Sequence, residues 1–163
     1  MEVVNRGPRI DRLTAPPDVP DLVHVRVWIP GSWSPRRLLD RLVNVDGRRG
    51  AVLVELWGPS SALRDSISRD ASPVTCSLAG VELFTMQVSA LSRHVDVLVP
   101  EPFAIWCGAD VRELAAAACA GTVAQKCSLL PAGGMWVISS LYDENVEIYS
   151  RGRSYDELAV LSG

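Results

Sequence analysis

DLVHVRVWIPGSWSPRRLLDRLVNVDGRRGAVLVELW, residues 21–57, sets the expected fold. From Asp21 to Ile29 the valines 23, 25 and 27 and Ile29 alternate with Leu22, His24, Arg26 and Trp28, the period-two pattern of a strand. Pro30-Gly31 stops that strand. Ser34 then caps a helix that starts at Pro35, a favoured position for proline, and shows Leu38, Leu39, Leu42 and Val43 on one side. After Asp46-Gly47, Ala51 to Trp57 reads as a second strand. Strand, helix and strand at this spacing predict a β-α-β unit, with a right-handed crossover if the strands are parallel.

Beyond Trp57, Ser60 to Arg69 reads as a short polar helix, and Pro73–Leu78 with Val81–Ser89 as a hairpin joined at Ala79-Gly80. His94–Val99 and Phe103–Cys107 read as further strands. Asp110 to Cys127 predicts one long alanine-rich helix, with Asp110 as N-cap and Glu113 three positions on. Met135–Ser140 and Asn145–Ser150 form another hairpin, and a short helix starts at Ser154. Residues 1–21, with Pro8, Pro16, Pro17 and Pro20, read as an extended arm. The expected architecture is α+β: a mostly antiparallel sheet opening with a β-α-β unit, and one long Ala-rich helix packed on it. Residues 22–163 then make a single domain. The opening strand–helix–strand, with Pro30-Gly31 before its helix, resembles small ferredoxin-like ligand-binding domains over residues 22–57.

The chain has 163 residues and is 48% hydrophobic, enough for a core. No apolar run reaches the ~18 residues of a membrane span, and the first residues carry no apolar signal region, so a cytoplasmic protein without membrane attachment is expected. Cys76, Cys107, Cys119 and Cys127 match no common metal or redox spacing, so reduced thiols, no metal and no cofactor are expected. The net charge of −3 argues against nucleic acid as a partner. Lys126 is the one lysine among sixteen basic residues.

Phosphate-loop, dinucleotide, nucleophile-elbow and zinc-protease motifs are all missing. Three candidate sites stand out. Cys107 ends a strand just ahead of a helix, where a nucleophilic thiolate is favoured, with His94 or His24 as base; a buried structural cysteine is the plainer alternative. Trp33, Ser34, Arg36 and Arg37 stand at a helix start in a segment of net charge +3 (five arginines against Asp40 and Asp46), which suits a small anionic ligand. Internal pairing with the acidic C-terminal region would satisfy the same charge. Finally, His24, Arg26 and Trp28 share one strand face, expected beside Glu147, Tyr149 and Arg151, with the composition of a protein interface. The best single reading is a non-enzymatic binding module, such as a regulator, inhibitor or immunity-type protein, acting through another protein. A small cysteine-dependent enzyme and an anionic-ligand sensor are the alternatives.

Overall fold

Strands dominate: residues 22–28 alternate valine with larger or polar side chains, while residues 51–57 and 103–107 are apolar enough to be buried on both faces. The computed structural model describes residues 9–28, 50–94, 98, 101–140, 145–154 and 158. Eight strands form one sheet: β1 (Arg9–Leu13), β2 (Leu22–Trp28), β3 (Ala51–Trp57), β4 (Ser72–Val74), β5 (Val81–Gln87), β6 (Phe103–Cys107), β7 (Met135–Ser140) and β8 (Asn145–Arg151). Their order is β1-β2-β8-β7-β6-β3-β5-β4. Every neighbouring pair is antiparallel. The described helices are α1 (Ser61–Ile67), α2 (Val88–Leu91), α3 (Val111–Ala118) and α4 (Val123–Leu129).

This is an α+β architecture, with the opening unit arranged differently from expectation. β2 and β3 run in the same direction, but β8, β7 and β6 lie between them. They are not a paired parallel unit, because the C-terminal hairpin and β6 fill the gap between them. The helix expected from Ser34 falls outside the described residues. The N-terminal arm also gains structure, since Arg9–Leu13 pairs with β2 as an edge strand in the register Arg9↔Trp28 to Leu13↔His24.

The long alanine-rich helix is two helices. Cys119 closes α3 with its N–H on Ala115 and Ala117 carbonyls. Thr122 then takes an extended conformation and caps α4. Its hydroxyl accepts from the Gln125 N–H at 3.1 Å, and the Gln125 side chain accepts from the Thr122 N–H at 3.0 Å. That reciprocal box satisfies two N–H groups an uninterrupted helix would satisfy differently, so Gly121 belongs to a turn and not to a helix interior. The strand expected over 94–99 is not found at its two described positions, and 95–97 and 99 lie outside the described residues. His94 ends a 3-10 turn, Ser92–His94, and Leu98 is helical and buried.

The sheet separates two cores. On the first face Val25, Val27, Val54, Ile105, Val137 and Ile148 pack with Leu63 and Ile67 of α1, Leu91 of α2, Leu98 and Leu158. On the second face Leu53, Trp106, Trp136 and Tyr149 pack with Leu114, Ala117 and Ala118 of α3, Cys127 of α4 and Leu130. The alanines of α3 let its axis come close to the strands it covers. Gly134 serves the same close packing, for a Cβ there would sit 2.9 Å from the Pro131 carbonyl. Among the described residues no helix is long and apolar enough to cross a membrane.

Candidate protein-binding surface

β2 presents Val23, Val25 and Val27 to the first core, so the pleat turns His24, Arg26 and Trp28 to the second face. There α3 and α4 pack over residues of β3, β6 and β7, and the strip from β1 to β8 carries polar and charged side chains. Register sets His24 opposite Tyr149, Arg26 opposite Glu147 and Trp28 opposite Asn145. On the other side of β2, Arg9, Asp11 and Leu13 stand opposite Trp28, Arg26 and His24. Three strands thus assemble a grid that no single stretch of sequence contains.

Its polar groups bind one another. Trp28 donates its indole N–H to Asp11 at 2.7 Å, and the Arg9 guanidinium lies 4.8 Å from the Trp28 ring centre. The Arg26 guanidinium lies 5.8 Å from the same ring centre and pairs with Glu147 at 3.5 Å. The ring therefore has cations near it and a carboxylate at its edge, an arrangement that fixes its orientation while leaving it partly exposed. Two cations, Arg9 and Arg26, stand against two carboxylates, Asp11 and Glu147. The Arg26 Nε is buried and has no hydrogen-bond partner among the described residues. His24 is buried deeper, with one ring nitrogen 3.1 Å from the Thr14 carbonyl and the other 3.2 Å from Glu147.

From His24 a cross-strand aromatic ladder runs along the same face. His24 stacks on Tyr149 at 3.9 Å, Tyr149 on Trp136 at 5.1 Å, and Trp136 on Trp106 at 4.7 Å, all with nearly parallel rings. It crosses β2, β8, β7 and β6 and so joins the open strip to the helix-covered core. Burial first, and then the charge of Glu147, push the Tyr149 hydroxyl up to about 12, so it stays a neutral phenol. At the core end Glu55, only 1% exposed, accepts from the Trp106 indole at 2.9 Å and the Trp57 indole at 3.3 Å. Lys126 is buried as well: its ammonium donates to the Ala118 carbonyl and lies 5.9 and 5.8 Å from the Trp106 and Trp136 ring centres. Sequence reading missed this ladder. Its members share a strand face, but which residues meet depends on strand order.

The other candidates stand elsewhere. Cys107 is buried, and its side chain packs in the first-face core, on the side of the sheet away from α3. α3 does start just after it, capped by Asp110, whose carboxylate accepts from the Arg112 N–H. His24 lies on the second face, and His94 is engaged by other groups. Trp33, Ser34, Arg36 and Arg37 lie outside the described residues. Among the described residues no group of three or more His, Cys, Asp and Glu side chains is placed to hold a metal ion.

A second polar cluster, also missed in the sequence, ties α1 to the Ser92–His94 turn. His94 contacts Asp70 at 2.7 Å and Ser66 at 3.4 Å, and Arg93 reaches Asp70 at 3.4 Å. Ser66 lies in the last turn of α1 and Asp70 in the turn that follows the helix, and both reach the same ring. The three residue types are those of a hydrolytic triad, but Ser66 lies within a helix and its contact to the ring is long. The cluster acts as a tie between segments. The hydrogen bond to His94 holds the Asp70 carboxyl below its ordinary range, with Arg93 and Arg69 adding to the effect. A carboxyl lowered on folding stabilises above its unfolded pKa, and that contribution is lost as pH falls through the lower folded value. Asp70→Asn is therefore expected to reduce stability at pH 7 and to flatten the loss of stability below about pH 4. Urea midpoints for both proteins at pH 7 and pH 3 measure the difference, and parallel curves would contradict it.

Comparisons with protein-family models, with curated proteins and with solved structures found no match.

Proposed function

We propose that this chain is a non-enzymatic protein-binding module that engages its partner through the strip carrying Arg9, Arg26, Trp28 and Glu147. A regulator, an inhibitor or an immunity-type protein that masks another protein is the role this implies, in the cytoplasm, where free cysteines are ordinarily reduced. The observation that carries the reading is Trp28. It is a half-buried indole held between Arg9, Arg26 and Asp11. Tryptophan and arginine are the residues that concentrate binding energy at protein interfaces. A ring already fixed by a 2.7 Å hydrogen bond loses little side-chain freedom when a partner covers it. The aromatic ladder that starts at His24, on the same strand face, ties the strip to the helix-covered core. The mixed charge fits a partner whose contact surface carries both signs around an apolar centre.

The test is capture of a partner from native lysate with the tagged chain, followed by titration of the purified pair. Trp28→Ala is expected to weaken the recovered complex by about 2 kcal/mol or more, roughly 30-fold in Kd. Arg26→Glu, which sets two carboxylates side by side with Glu147, is expected to weaken it comparably. A complex indifferent to both substitutions would end the proposal for this surface.

A further inference from the structure

Cys76 and Cys119 are far apart in sequence and adjacent in the fold. Cys76 follows β4 in the loop that leads to β5, and Cys119 closes the C-terminus of α3. The Cys119 sulfur lies 3.8 Å from the carbonyl of Thr75, the residue bonded to Cys76, and the Cys76 side chain is close enough to raise the Cys119 thiol's pKa. Both are half-buried on the rim of the second-face core, whereas Cys107 and Cys127 are buried. Cys107 belongs to the other face of the sheet altogether. Geometry thus selects one pair of the four thiols, and leaves it open to small reagents.

We propose that Cys76 and Cys119 are a reversible oxidation site, a dithiol that closes to a disulfide on meeting a low-molecular-weight disulfide such as glutathione disulfide. The Cys76 thiolate attacks one sulfur of the oxidant, forming a mixed disulfide and expelling the other half, which takes up the proton Cys76 gave up. Cys119 then loses its proton and attacks the Cys76 sulfur, forming the Cys76–Cys119 bond and expelling the second half as a thiol. Two protein thiols are oxidised and one disulfide is reduced to two thiols. Burial, and then the contact with Cys76, push the Cys119 thiol up to about 11, so closure accelerates with pH through the second step. The bond would staple the C-terminus of α3 to the β4–β5 edge of the sheet, adding a covalent link to the weak thiol–carbonyl contact already there.

The experiment uses the full reduced chain, treated with glutathione disulfide and then freed of it. The expected product has lost about 2 Da, yields one cross-linked peptide containing Cys76 and Cys119, and melts about 5–10 °C higher, with full reversal by a thiol reductant. Cys76→Ser and Cys119→Ser should each abolish closure, and Cys107→Ser and Cys127→Ser should leave it intact. Thermal melts of the reduced variants show that they fold. A stable glutathione adduct at Cys76, a bridge between another pair, or four thiols still free after treatment would each overturn the proposal.

Discussion

Trp106→Ala is expected to destabilise the protein by about 3–5 kcal/mol, the cost of deleting a fully buried aromatic ring from a close-packed core. Trp106 is 0% exposed. Its ring stacks on Trp136, lies beneath the Lys126 ammonium, and directs its N–H to Glu55. Alanine opens a cavity, leaves the Glu55 carboxylate with only the longer bond from Trp57, and removes one end of the ladder. Against a typical total of about 5–15 kcal/mol, that loss takes much of the stability of a domain this size. Denaturant unfolding followed by far-ultraviolet circular dichroism reads it directly. Trp106→Phe keeps most of the packing and should cost less. A loss below about 1 kcal/mol for the alanine variant would mean that the ladder contributes nothing beyond its neighbours.

Much of the strand content was readable because alternation is a local property. The valines at 23, 25 and 27 bracket β2, and the runs of β3, β6, β7 and β8 lie within a residue or so of expectation. Strand order was not readable. Nothing in residues 21–57 says that three later strands will come between β2 and β3, since that depends on which faces remain to be covered once the whole chain exists. The break between α3 and α4 was present as Thr122 and Gln125, three apart, but the four alanines 115–118, with Ala120 beyond Cys119, favour helix strongly enough to hide a cap. His94 misled in another way. Read as the first residue of a strand, it ends a 3-10 turn instead, and its ring is held by Asp70 and Ser66, a tertiary contact that outweighs local propensity.

The candidate surface was legible to the same depth. Parity alone places His24, Arg26 and Trp28 on one face, and cross-strand pairing then sets Tyr149 and Glu147 against them. Asp11 and Arg9 were hidden, because a proline-rich arm shows no periodicity that would announce an edge strand. Without that strand Trp28 would have no hydrogen-bond acceptor from β1 and no guanidinium at 4.8 Å. The surface exists because the second face is covered unevenly: small side chains on α3 bring the helices close over β3 and β6, and the sheet continues past them to β1. An antiparallel sheet tolerates such a half-solvated face, provided its outward residues are polar or mutually paired. Here they are paired.

Glu55 and Trp106 are expected to be energetically coupled by about 1–3 kcal/mol in a double-mutant cycle. Glu55 is a carboxylate inside a strand whose neighbours Val54 and Leu56 are fully buried. Its oxygens accept from two indoles, and the bond from Trp106 is the shorter at 2.9 Å. Glu55→Ala alone leaves the Trp106 N–H buried without an acceptor, so the cost is that of an orphaned donor added to that of the lost side chain. In a Trp106→Phe background no N–H remains to be orphaned, so the same Glu55→Ala change should cost less by the coupling energy. Glu55→Gln separates charge from hydrogen bonding, for its amide oxygen can still accept while the formal charge is gone. If the charge matters chiefly through the buried ammonium of Lys126, Glu55→Gln should destabilise nearly as much as Glu55→Ala; if the acceptor matters, Glu55→Gln should lie near the wild type. Denaturant midpoints for the cycle and for Glu55→Gln decide between them, and additive single effects would show that the indole–carboxylate bond carries no net stability.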